Sequence, residues 1–225
     1  MKGFRVDRLT FPNSMQGEHS TDLSDLQRRL LHSHVHTLPG AAKHLPPSAP
    51  FTTLWGGGIY LVSLLGGLPG PLLTWWAAQP AGHILLTDGE AGYALGELAV
   101  GDLALRDVSR IPLDRLIQDP LAGLALAVQP LDHLLGCGGD EAGRWLSEGS
   151  GLTPAWQEIG RQIHSLFGLG YGLTEAAQKS PQAYLAQGLV LALHQPRRLN
   201  TQDPKLDRLL RGSLLNEGFC RRWLS

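Results

Sequence analysis

The sequence predicts a mainly α protein of the α+β class, with a helical C-terminal half and a small β-hairpin region near residues 83–95. Three observations carry that expectation. Four times a polar residue precedes proline at the head of an apolar run: Asp119-Pro120, Thr153-Pro154, Ser180-Pro181 and Asp203-Pro204. Such a pair is an N-cap followed by proline at N1, where the fixed φ suits a helix and the missing N–H costs nothing. Trp156, Ile159, Ile163, Leu166 and Phe167 then recur at helical spacing along one face, as a half-buried helix requires. Finally, Asp88-Gly89 lies between two apolar runs, a strong hairpin signal.

In chain order, residues 1–50 read as an N-terminal arm and linker. They carry charges, histidines and the stretch Leu45-Pro46-Pro47, which no helix continues. Leu23, Leu26 and Leu30 mark one short amphipathic helix inside it, with Ser20 or Thr21 as the cap. Residues 51–225 read as a single globular domain, divisible into a mixed α/β part over 51–118 and a helical part over 119–225. No charged residue occurs from Leu45 to Gly82, but Gly56-Gly57-Gly58, Gly66-Gly67 and Pro69-Gly70-Pro71 cut this stretch into pieces. Each piece is shorter than the roughly 20 residues that cross a bilayer, so two buried segments are expected and no membrane span. Gly82–Thr87 and Gly92–Leu95 form the two arms of the expected hairpin. Helices are expected over 121–135, 155–167, 182–194 and 205–215, the second ending at Gly168 as its C′ residue. No repeat and no strand-helix alternation of a doubly wound sheet is visible.

The chain has 225 residues, with 19 Lys+Arg against 20 Asp+Glu for a net charge of −1, and 43% hydrophobic residues. That balance argues against a surface devoted to polyanions. Two cysteines, Cys137 and Cys220, make no CxxC and are too few for a disulfide framework. With no apolar segment near Met1, a cytoplasmic location is expected.

Three sites suggest themselves. Trp55, Tyr60, Trp75 and Trp76, in the charge-free region, are candidate contacts for a protein partner or for self-association, because extended apolar surface on a folded protein usually meets a partner. His32, His34 and His36 share one face if the segment is a strand, which would aim three imidazoles at one metal ion. Adventitious histidines are the competing reading, and an oxygen ligand would have to come from Asp22, Asp25 or Glu90. Arg197, Arg198, Lys205, Arg208, Arg211, Arg221 and Arg222 outnumber Asp203, Asp207 and Glu217 seven to three, a local excess that could meet nucleic acid. Against that, Asp207 and Arg211 stand at i,i+4 on an ordinary solvated helix face. Cys137 has His133 and His164 as possible partners for a Cys-His pair, although glycines flank it as at a helix end. No GxSxG, HExxH, Walker A or GxGxxG motif is present, and no cofactor is expected.

Ser48-Ala49-Pro50-Phe51, Gly57 to Leu65 and Asp119-Pro120-Leu121-Ala122 together resemble a pattern in accessory proteins of phage-tail-like contractile injection systems. The resemblance covers about a sixth of the chain and implies a non-catalytic assembly role. Gly70-Pro71-Leu72, Gly82 to Leu86, Asp88-Gly89-Glu90, Ala94, Gly101, Ala104 and Leu105 resemble the PATAN signalling module, implying a hairpin that leads into a helix. Arg106 to Arg115 replace the glycine and aromatic strand that should follow. The leading expectation is therefore a non-catalytic interaction or assembly component. The alternatives are a metal-dependent enzyme built on the histidine string and a nucleic-acid-associated protein using the basic C-terminal region.

Overall fold

The computed structural model describes residues 23–38, 40–41, 45–47, 49–137, 144–169 and 173–224. His19, His44, Asp22, Ser20 and Thr21 lie outside them. Helix α1 (Asp25–His34) starts at Ser24, whose hydroxyl accepts from the Gln27 N–H while the Gln27 side chain accepts from the Ser24 N–H, a reciprocal capping box. The chain then passes without a loop into strand β1 (Val35–Thr37). Helices α2 (Leu54–Leu64) and α3 (Gly70–Ala77) follow, then strands β2 (His83–Thr87), β3 (Gly92–Val100) and β4 (Leu103–Pro112). The remainder is helical: α4 (Leu113–Gln118), α5 (Pro120–Ala127), α6 (Gln129–Cys137), a 3₁₀ turn (Leu146–Glu148), α7 (Pro154–Gly168), α8 (Pro181–His194), α9 (Pro196–Gln202), α10 (Pro204–Gly212) and α11 (Glu217–Trp223).

The class is the expected one, a mainly helical α+β fold with one small sheet. Its wiring differs from the expected hairpin. The strand order is β1-β2-β4-β3; β1, β2 and β4 are parallel neighbours, and β3 pairs antiparallel with β4 at the edge. The Asp88-Gly89 turn thus joins two strands that β4 separates, and the true hairpin is β3-β4, turning at Gly101 (φ 60°). Local turn chemistry cannot choose between these pairings, because β4 offers β2 the more apolar partner: Val108 and Ile111 are fully buried.

Segment 25–37, expected within an arm, is integral to the core. Leu30, Leu31 and Val35 are buried, and β1 supplies the other sheet edge. The link from β1 to β2 through α2 and α3 is a parallel crossover, so one strand-helix-strand unit does exist; a three-residue strand shows no periodicity of its own.

All four proline-led helices begin where expected. Asp119, Thr153, Ser180 and Asp203 accept from the N–H groups of Ala122, Trp156, Ala183 and Leu206. The run expected over 121–135 is two helices, broken at Val128 just before Pro130. Helix α7 runs through Gly168 and is capped by Leu169 in the right-handed region, so Gly168 is not a left-handed C′ residue. Helix α8 is the central core element: Tyr184, Leu185, Leu189, Val190 and Leu191 are buried, and the Tyr184 hydroxyl donates to the buried Asp203 that caps α10. A second, smaller apolar cluster of Leu85, Val100, Leu105 and Val108 covers the other part of the sheet. No described helix is long and apolar enough to cross a membrane.

Strand β3 is a nine-residue edge with one charge, Glu97, and a half-exposed Leu95. A register break between Ala94 and Glu97, with Gly96 at φ 74°, bends it and discourages edge-to-edge pairing.

Candidate functional site

The charge-free stretch forms α2, α3 and their turns. Trp76 is fully buried, and its indole N–H donates to the Gly82 carbonyl at 2.9 Å. It is a core residue and is removed from the expected contacts. Trp55, Tyr60 and Trp75 are only half-buried, as are Ile59 and Leu64. The α2 residues leave surface that is aromatic, aliphatic and uncharged, while Trp75 lies on α3, with α1 packed against both helices. Trp55 meets the His32 ring at 5.6 Å between centroids, which joins the α2 surface to α1. Beside it an open groove of about 460 Å³ runs between α1 and α3, walled by Leu26, Arg28, Arg29 and His32 on one side and Thr74 and Ala77 on the other. One wall carries the Arg28 and Arg29 cations, while burial lowers the His32 imidazole and keeps it neutral near pH 7; the other wall is uncharged.

The histidine string does not act as a unit. His32 and His34 are helical, and residues two apart on a helix point to different sides, so the expected alternation fails. His32 faces Trp55, while His34 turns inward, 1% exposed, against the rings of Trp76 and His83. Strand β2 brings in a residue the sequence could not nominate. The His83 Nδ1 lies 3.2 Å from the His36 Nε2, and its ring stacks on His34 at 5.0 Å. Among the described residues no group of three or more His, Cys, Asp or Glu side chains is placed to hold a metal ion. Burial and the neighbouring imidazole of His83 hold His34 down at about 3, and burial also lowers His83.

His34 is thus neutral in the folded protein and protonates in the unfolded chain below about pH 6.5. A depressed imidazole contributes stability that is complete above the unfolded value and is lost as pH falls towards the folded one. Wild-type protein should therefore lose about 2 kcal/mol relative to His34→Gln between pH 7.5 and pH 5, measured by urea unfolding of both. The comparison with the variant is essential, because Asp132 acts in the opposite sense. Burial pushes that carboxyl up to about 7 although it accepts from the Ser147 N–H at 2.8 Å and hydroxyl at 2.7 Å, so its contribution to stability grows as pH falls from 7 towards 4.

The basic residues are spread over α9, α10 and α11, and several are engaged locally. Arg211 pairs with Asp207 at 3.0 Å, Arg221 with Glu217, and Arg198 donates to Gln195. Arg208 donates to the Pro204 carbonyl, and the Arg222 guanidinium lies 5.0 Å from the Trp223 ring centre. Arg197 stands on α9 and Lys205 in the first turn of α10. This distribution is that of solvated helix faces.

A fourth constellation forms where α6 meets the sheet. Cys137 and His133, one turn apart on α6, place Sγ 3.2 Å from Nε2. Asp107 of β4 lies 3.7 Å away on the other side of the same ring, at Nδ1. The sequence marked Cys137 with His133 or His164 as a possible pair; the structure brings in His133, and the Asp107 partner was not visible. Its signal was one of backbone geometry. Asp107 is the only described non-glycine residue with positive φ, 54°, and sits opposite the β3 bulge, where its carboxylate accepts from the Gly96 N–H at 2.8 Å.

Compared with family models, curated proteins and solved structures, the chain matches none of them. The fold is that of a mainly helical α+β protein with one mixed four-stranded sheet.

Proposed function

We propose that this chain is a non-catalytic interaction or assembly component that binds an acidic amphipathic segment of a partner protein along the α1–α3 groove and the α2 face. The supporting observation is the uncharged surface itself. From Leu45 to Gly82 the sequence has no charge, yet Trp55, Ile59, Tyr60, Leu64 and Trp75 stay partly open to solvent. Ordinary surface is rich in charge, and aromatic residues in a charge-poor patch are what interface centres contain. Arg28 and Arg29 on the groove's other lip select the partner's chemistry: apolar side chains on one face and carboxylates on the other. The partial resemblance to injection-system accessory proteins points the same way, and cysteines outside any disulfide fit a cytoplasmic location.

The test uses a synthetic amphipathic peptide with leucines at helical spacing on one face and glutamates on the other, titrated against the protein's tryptophan fluorescence. Saturable binding is expected, weakened at least tenfold by Arg29→Glu and by the pair Trp55→Ser and Trp75→Ser, with unchanged circular dichroism. No binding, or binding that survives both changes, would overturn the reading.

A further inference from the structure

We propose that Cys137 is a base-assisted nucleophile that takes a small acyl group from an activated ester or thioester, with His133 as the base and Asp107 as the positioning residue that stabilises the imidazolium once it forms. The geometry is that of a relay. The Cys137 sulfur stands 3.2 Å from His133 Nε2 and 3.3 Å from the His133 carbonyl oxygen, one turn back along α6. When Nδ1 carries the imidazole proton on the Asp107 side, 3.7 Å from the carboxylate and beyond hydrogen-bond reach of it, Nε2 can accept the thiol proton. His133 is 0% exposed and Asp107 2% exposed, whereas Cys137 is partly open to solvent. The nucleophile is therefore accessible and the groups behind it are shielded.

A buried carboxylate is costly unless it has partners. Asp107 has the Gly96 N–H on one oxygen and His133 beside the other, so an imidazolium formed at His133 meets a negative charge already in place. The sulfur lies at the C-terminal end of α6, where the helix dipole disfavours a resident thiolate. The proton consequently leaves as the new bond forms, which is general-base chemistry and not a standing ion pair. Two further features point to a ligand. The Tyr93 hydroxyl, fully enclosed, has no hydrogen-bond partner among the described residues, and its ring packs edge-on against His133. It also feels both Asp107 and Cys137, which together with burial push it far above its ordinary range. It thus remains a proton donor, of the kind a carbonyl oxygen needs as it gains charge. The Trp145 ring, 4.8 Å from Tyr93 and 5.1 Å from His133, gives the acyl group an apolar wall.

In the step, Sγ attacks the carbonyl carbon and the S–H proton passes to His133 Nε2. The carbonyl oxygen takes up the π electrons, then the intermediate collapses, the ester or thioester bond to the leaving group breaks, and His133 returns its proton to the leaving group or to water. The products are an S-acyl Cys137 and a free alcohol or thiol. No oxidant or reductant takes part and no turnover is required, so this site stands independently of the interaction reading.

The probe is p-nitrophenyl acetate, with phenolate release followed by absorbance and the acetylated peptide located by mass spectrometry. One equivalent of acetyl on Cys137 is expected, at least tenfold faster at pH 7 than on N-acetylcysteine in the same buffer. Cys220 provides an internal control, since it is fully buried and its thiol is pushed up to about 12; it should stay unmodified. His133→Gln should slow the reaction tenfold or more. Asp107→Asn, which tolerates positive φ, should slow it while circular dichroism and iodoacetamide access to Cys137 stay the same. The wild-type rate should also level off between pH 7 and pH 8, where an ordinary thiol gains almost tenfold; among the described residues Asp107, Tyr93 and Asp132 are ionisable groups close by. A rate equal to that of N-acetylcysteine, or one unchanged by Asp107→Asn and still rising with the ordinary thiol profile, would overturn the proposal. The wild-type profile and Asp107→Asn decide the matter if His133→Gln does not fold.

Discussion

Gly160→Ala should cost about 3 kcal/mol or more, a large part of a typical domain's stability. A Cβ on Gly160 of α7 would lie 2.2 Å from the Ser150 carbonyl oxygen and 2.6 Å from that of Leu146. Both are backbone atoms of the 3₁₀ turn and the residues just after it, so no side chain can rotate away. Gly136 on α6 meets the same turn from the opposite side, with a Cβ 2.4 Å from the Leu146 nitrogen. The turn is thus clamped between two helices at backbone distance, and the Asp132 carboxyl pins it through Ser147. Gly168→Ala is the matched control: it is also on α7, a Cβ there touches nothing within 4 Å, and alanine favours the helix. Chemical denaturation of the three proteins should separate them, with Gly168→Ala at or slightly above wild type. Equal stability of the Gly160 and Gly168 variants would contradict the clamp.

Trp76→Ala should cost roughly 3–5 kcal/mol, as truncation of a fully buried large side chain does, and Trp55→Ala less than about 1 kcal/mol. The difference follows from position alone. Trp76 fills the space beneath α3, packs on His34, and ties its indole N–H to the Gly82 carbonyl beside β2. Gly82 itself sits at φ 85°, with no room for a Cβ between Leu134 and Trp76. Trp55 keeps part of its ring in solvent. Unfolding curves of the two variants should diverge accordingly, and a mild effect of Trp76→Ala would return that residue to the interface.

The helical half was legible because its signals are local. A capping side chain and a proline mark each start within three residues, and the structure puts a helix at all four places. The interruption at Val128 was hidden, since an apolar run reads alike whether one helix or two bury it. Sheet order was illegible for a related reason: the Asp88-Gly89 turn identifies a chain reversal but not which strand lies alongside. The histidine string misled because period two was applied to residues that are helical through His34; the real neighbours, His36 and His83, are 47 positions apart. Cys137 and His133 lie one turn apart and could be paired from the sequence. Asp107 could not, because it enters through a bulge in a strand and a non-glycine residue at positive φ. In the charge-free stretch, composition marked the region but not which tryptophan faces inward. Trp75 and Trp76 are adjacent, and only packing distinguishes them.

Calorimetry of binding to the acidic amphipathic peptide tests the uncharged α2 surface and the α1–α3 groove most directly. Two temperatures report apolar burial through the heat capacity, and two salt concentrations report the Arg28 and Arg29 lip. The expected result is saturable binding with a negative heat-capacity change, weakened by salt and lost in the Trp55→Ser, Trp75→Ser variant. Absence of binding heat at both temperatures, or binding that the double variant retains, would contradict it.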